Sequence, residues 1–172
     1  VPNWCQNTAT ISGPKPVIDQ IKSILANRDD GNLLNWMCPM PDDQRDNWYD
    51  WCTTNWGTKW PENDLLILDD TEEDSITFSF DTAWGPPIEA FRYWAQQDSR
   101  VTYRLAYVET GMAFVGWHSY DGEYFDEDFA DHGTDADRYW EMAQEEFGME
   151  QEEEPEPLTE WYVDGVREKG LA

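Results

Sequence analysis

A chain of 172 residues with 37 Asp and Glu against 11 Lys and Arg carries a formal charge of −26. Such a surface repels nucleic acid and anionic membranes and attracts cations and basic surfaces. At 40% hydrophobic and 15% aromatic residues, the chain can bury the core of one domain. It has no Lys/Arg cluster suited to phosphates, no apolar run near the ~18 residues of a membrane span, and no basic-then-apolar signal segment at its start.

Residues 4–11, WCQNTATI, alternate loosely and meet Ser12-Gly13-Pro14, which reads as a strand closed by a turn. Over 14–28, Val17, Ile18, Ile21, Ile24 and Leu25 recur at helical spacing behind Pro14 and Pro16. Asp29-Asp30-Gly31-Asn32 ends that helix. Residues 33–62 form a Trp-rich insert broken by Pro39 and Pro41. A helix is predicted over 43–55, capped by Asp42 or Asp43, with Trp48, Trp51, Cys52 and Asn55 on one face.

Leu65–Leu68 and Ser75–Phe80 read as strands around the turn DDTEED. In the second, Ile76, Phe78 and Phe80 point one way while Ser75, Thr77 and Ser79 point the other, so one face is wet. Residues 83–97 open on a Pro-Pro break and become a helix with Ile88, Phe91 and Ala95 as its apolar stripe. Arg100–Val108 alternates as a strand, and Met112–Trp117 and Gly122–Phe125 extend a meander. The order β-α-(insert)-β-β-α-β predicts an α+β, ferredoxin-like split βαβ fold: an antiparallel sheet with two helices on one face.

The character changes at residue 126. We expect a ferredoxin-like domain over 1–125 with its insert at 33–62, then an acidic helical extension over 126–149. Its helix, over 134–147, would turn Tyr139, Trp140, Ala143 and Phe147 toward the body. Residues 150–172 read as an acidic linker and a short apolar tail containing Trp161-Tyr162-Val163.

The stretches PNWCQNTATISGP, LLNWMCPMP, WYDWCTTNWGTKW, FSFDTAWGPPIEAF and GMAFVGW occur together here. In this combination the chain resembles the YubB-like (Api-like) proteins of plasmids, phages and genomic islands, a family without an assigned function. The resemblance spans residues 2–117 and implies a ferredoxin-like domain. It supplies no catalytic residues.

The aromatic stretch can be read as a stacking surface or as a packing layer. A stacking platform for single-stranded nucleic acid needs a positive groove, and Lys59 is the sole cation between residues 47 and 60. A sugar site pairing Trp with Asp50 and Asn55 stays open. Packing is the favoured reading, because buried indoles contribute a large apolar area. Trp56-Gly57 and Trp84-Gly85 are candidate matching corners, where Gly permits close backbone approach.

Motifs for catalysis are missing from the sequence: there is no P-loop, no G-x-G-x-x-G and no G-x-S-x-G. Cys5, Cys38 and Cys52 lie among apolar residues without C-x-x-C pairing, which fits buried thiols in a reducing cytoplasm. His118, Glu123, Asp126, Asp128 and His132 could gather around an oxygen-preferring metal, but they lack EF-hand spacing. We therefore expect no enzyme activity, no cofactor and no metal.

Residues 121–160 hold 17 acidic residues and one basic residue, Arg138. On a helix, Asp137, Glu141 and Glu145 repeat about every 6 Å, against about one charge per 1.7 Å along duplex DNA. The candidate partner-binding set is Asp126, Glu127, Asp128, Asp135, Asp137, Glu141, Glu145, Glu146, Glu152 and Glu153. The expected function is a non-enzymatic mobile-element protein that binds a host protein in the host cytoplasm. Its acidic, DNA-mimic-like surface would occupy the basic surface of a nucleic-acid-binding defence protein, as an anti-CRISPR or anti-restriction inhibitor, without contacting nucleic acid or membrane itself. The alternative is an adaptor that docks through the Trp-rich insert or the C-terminal tail. Solubility and adaptation to high salt would also favour the acidic composition.

Overall fold

Strand β1 (Trp4–Ser12) buries every second residue, as half-covered strands do. Its Ala9 and Ile11 meet Phe78 and Ile76 of β3 (Ser75–Ala83) and Leu105 and Tyr103 of β4 (Thr102–Glu109) on one face. The computed structural model describes residues 2–27, 32–152, 159–163 and 166–170. With β2 (Asn63–Asp69), β5 (Phe114–Tyr120) and β6 (Phe125–Asp131), these strands form an antiparallel sheet in the order β2-β3-β1-β4-β5-β6. The run β2-β3-β1-β4 is the ferredoxin-like order predicted from the sequence, and β5 and β6 extend it at one edge.

Helix α1 (Lys15–Ala26) starts after Pro14 with Pro16 in its first turn, where a missing N–H costs nothing. It buries Ile18, Ile21 and Leu25 against the sheet. Helix α4 (Ile88–Gln97) buries Phe91, Trp94 and Ala95 in the same core. Two helices were expected on this face, and the structure adds a third, α2 (Asn32–Met37), through Leu33, Leu34 and Met37. Its six residues are too few to display a helical period in the sequence.

The helix predicted over 43–55 is two elements. Asp42–Asn47 is a 3₁₀ turn with no buried residue, and α3 follows as Trp48–Asn55. Neither Asp42 nor Asp43 caps it; Pro41 stands at the N-cap, with no side-chain cap hydrogen bond. DDQRDN offers no apolar side chain to hold a longer helix on the core.

The acidic helical extension expected from residue 126 begins instead as β6, paired with β5 from Phe125↔Tyr120 to Phe114↔Asp131. Asp is depleted in strands, which hid this one, yet an edge strand tolerates charge and is protected by it from pairing with other chains. Gly116 of β5 is required by close packing: a Cβ there would lie 2.5 Å from Tyr107 Oη and 2.6 Å from the Asp128 carbonyl. Helix α5 (Ala136–Phe147) then crosses the opposite face, where Tyr139, Met142 and Ala143 pack on Val108, Val115 and Ala130. Gly148, left-handed at φ 64°, ends it. Thr159–Val163 (β7) and Val166–Gly170 (β8) pair as a hairpin. Among the described residues, no helix is long and apolar enough to cross a membrane.

Candidate interaction surface

Backbone register divides the acidic residues before any side chain is considered. On β6, Asp126 and Asp128 pair with Ser119 and Trp117 and share the face that α5 covers through Ala130. Glu127 pairs with His118 and points to the α4 face. Helix α5 lifts Asp137, Glu141 and Glu145 into solvent at i, i+4 spacing. Glu152 is exposed beyond the helix, and Glu153 lies outside the described residues. The ten predicted residues therefore do not form one row.

Several of these carboxylates already have internal partners. Arg138 donates to Asp128 Oδ2 at 2.6 Å and to Glu141 Oε2 at 2.8 Å, tying the edge strand to the helix. The Arg138 hydrogen bond holds the Asp128 carboxyl below its ordinary range, helped by the Phe129 N–H. Asp135 is the N-cap of α5 and accepts from the Arg138 N–H at 3.1 Å. Arg104, on β4, grips both carboxylate oxygens of Glu146, one at 2.7 Å, and lies over the Trp117 ring at 5.1 Å. On the α5 side, Asp126, Asp137 and Glu145 are exposed carboxylates with no ion-pair partner among the described residues, Asp126 accepting the Glu127 N–H at 2.9 Å. The i, i+3 pair Arg138–Glu141 was visible in the sequence; the Arg104–Glu146 pair, 42 residues apart, left no local signal.

The five residues weighed for a metal are not brought together. His118 is buried on the α4 face, across the sheet from Asp126 and Asp128. Its Nδ1 lies 2.8 Å from Tyr103 Oη and its Nε2 3.3 Å from Arg92. Arg92 can only donate, so Nε2 accepts and Nδ1 carries the proton. Burial lowers the His118 pKa, the Arg92 charge lowers it further, and Glu127 opposes both. Burial raises the pKa of all three cysteine thiols, most at Cys5, so they are weak nucleophiles.

The aromatic stretch is mostly packing. Trp56 is 2% exposed, donates its indole N–H to the Cys38 carbonyl at 2.8 Å and meets Trp51 edge-on at 5.6 Å. Trp36 packs on Trp94 at 5.7 Å, and Trp4 on Trp60 at 6.2 Å. Of the four residues expected on one face of α3, Trp51, Cys52 and Asn55 turn inward and Trp48 stays exposed. Asn55 Nδ2 is spent on the Trp51 carbonyl at 2.9 Å, which leaves one fewer donor for a sugar.

The two Trp-Gly corners abut. A Cβ on Gly57, at φ 83°, would lie 3.1 Å from the Pro86 carbonyl, and one on Gly85 3.8 Å from the Gly57 carbonyl. At the second corner the left-handed residue is Trp84 itself, not Gly85. A residue the sequence reading missed closes the segment. Buried Glu62 accepts from the backbone N–H groups of Leu33 and, at 3.1 Å, Leu34 at the start of α2. A carboxylate 28 residues downstream of its partner has no sequence signature.

Residues 55–156 match the family model described as the ferredoxin-like domain in Api92-like protein. The match covers more than half of the chain, and the chain belongs to that family. It takes in β6 and α5, so the acidic region beyond the Trp motifs lies within the family domain. The crystal structure of protein Api92 from Yersinia pseudotuberculosis is similar at TM-score 0.54 and 11% identity, over 76% of this chain and 98% of that one. At that identity the likeness concerns the fold. No curated protein matches the chain.

Proposed function

We propose that this protein acts by binding rather than catalysis, and that the β6–α5 surface engages a basic surface on a host nucleic-acid-binding protein. The observation that carries the reading is the set of exposed carboxylates Asp126, Asp137 and Glu145 on a strand-plus-helix platform. A chain of −26 charge speeds encounter with positive partners and disfavours nucleic acid itself. An inhibitor that competes with nucleic acid for a defence protein, acting as an anti-restriction or anti-CRISPR factor in the host cytoplasm, fits that charge. It also fits the resemblance to proteins of mobile elements.

Internal pairing dictates which substitutions test it. Glu141 and Glu146 are bound to Arg138 and Arg104, so reversing them disturbs structure as well as charge. The better variant reverses Asp126, Asp137 and Glu145 to Lys. Tagged wild-type protein is expected to retain nucleic-acid-binding proteins from a bacterial lysate at 0.1 M salt. It should release them at 1 M, as the screening length shrinks from about 10 Å to about 3 Å. The triple variant is expected to lose them while melting as a folded protein. Unchanged retention by the triple variant would overturn the proposal. A partner indifferent to salt would instead favour docking through the Trp-rich segment or the tail.

A further inference from the structure

Lys59 is an anomaly of electrostatics. In a chain with 37 carboxylates its ammonium makes no ion pair or hydrogen bond among the described residues. It sits on aromatic faces instead: 4.3 Å from the centroid of Trp60, 4.4 Å from that of Trp84 and 5.9 Å from that of Tyr49. All three lie within the range of about 6 Å at which a ring quadrupole attracts a cation.

The rings come from three places in the chain: Tyr49 from α3, Trp60 from the segment after it and Trp84 from the corner after β3. Trp84 is left-handed at φ 66°, a conformation that strains a bulky side chain. Its backbone N–H is fixed to the Asn3 carbonyl at 2.8 Å. The strain is not offset by deep burial, because Trp84 is 46% exposed and Tyr49 44%. Core packing explains Trp56 and Trp51; it does not explain a strained, half-exposed indole facing an ammonium.

We propose that Tyr49, Trp60 and Trp84 form a binding site for alkylammonium groups, with Lys59 as its resident and self-blocking occupant. The preferred ligand class is quaternary ammonium, including methylated lysine side chains. Methylation spreads the charge over apolar surface and weakens hydration, so less is lost on moving between aromatic faces than for a primary ammonium. The net charge of −26 raises the local concentration of any cation. This site is separate from the β6–α5 carboxylates, and its test does not depend on them.

The experiment titrates tetramethylammonium chloride into the full chain, with sodium chloride as the matched control, and follows the indole N–H resonances. In Lys59→Ala, saturable shifts are expected at Trp60 and Trp84, while the buried Trp56 indole stays in place as the check on folding. Wild type is expected to bind at least about tenfold more weakly, because Lys59 must first leave the rings. Adding Trp84→Ala to Lys59→Ala should remove the shift at Trp60. The proposal is overturned if folded Lys59→Ala shows no saturable shift, if both proteins bind equally, or if the shift survives without Trp84. Should Lys59→Ala fail to fold, Lys59→Gln removes the charge at closer to the original size and is read in the same way.

Discussion

Residues 33–62 and the β6–α5 unit lie against the sheet by different means. The first holds five of the chain's 11 Trp and is fixed by polar contacts that are themselves buried: Glu62 on the start of α2 and the Trp56 indole on Cys38. The second has a small apolar cluster of Val108, Val115, Ala130, Tyr139, Met142 and Ala143, supplemented by Arg pairs at the surface. A buried hydrogen bond is costly to leave unmade, whereas an exposed ion pair contributes little and weakens in salt. The Trp-rich segment should therefore be strictly specified, and the acidic unit tolerant of change at its outer face.

The hardest test of that contrast is Trp56→Ala. It removes a fully buried indole and leaves the Cys38 carbonyl without its partner. We expect a loss of about 4 kcal/mol in urea unfolding, within the range for large aromatic truncations. A loss below about 1 kcal/mol would mean that the segment is not part of the cooperative core.

Glu62→Gln is gentler. The amide keeps the shape but has a single acceptor oxygen for the Leu33 and Leu34 N–H groups, so one buried donor faces an NH₂. A loss of about 2 kcal/mol is expected, with α2 amides exchanging faster than those of α1. Equal protection of both helices would show that Glu62 does not anchor α2.

The third test uses pH. The pKa of His118 is lowered in the folded state, so the unfolded chain binds the proton more tightly. Its contribution to stability is fully present above the unfolded pKa of about 6.5 and is lost as pH falls from there toward the folded value. The slope is at most about 1.4 kcal/mol per pH unit. His118→Asn should flatten this part of the stability–pH curve, compared with wild type at equal salt. An unchanged slope would show that protonation of His118 is not what weakens the fold. Glu127 faces the same ring and opposes the shift, so Glu127→Gln should steepen the dependence.

The sheet was legible because period-two alternation survives in β1, β3 and the first half of β4, where one face is fully buried. Helices α1, α4 and α5 were legible from their apolar stripes. β6 was not, because an edge strand with Asp126, Glu127 and Asp128 in succession has the composition of a solvated loop. In the acidic set, helical phase correctly put Asp137, Glu141 and Glu145 on one ridge. Within that ridge the pairing of Glu141 with Arg138 follows from i, i+3 spacing, but the pairing of Glu146 with Arg104 and of Asp128 with Arg138 depends on residues brought near by the sheet. The Trp-rich segment followed the simpler rule, since indoles find one another wherever the backbone brings them close.

The smallest effects fall on the α5 ridge and have opposite signs at its two ends. Asp137 lies in the first turn, where the helix dipole favours a negative charge, and Glu145 in the last turn, where it does not. The last turn has no basic residue to compensate. Asp137→Lys should therefore cost about 0.5 kcal/mol, and Glu145→Lys should add about as much, partly by removing repulsion from Glu141. Thermal melts at low and high salt would show both differences shrinking together as the charges are screened. If Glu145→Lys stabilises the fold while weakening capture of a basic partner, the ridge trades stability for binding. If it stabilises and capture is unchanged, the negative charge at the end of α5 lies outside the binding surface, and the search narrows to Asp126 and Asp137 beside the sheet edge.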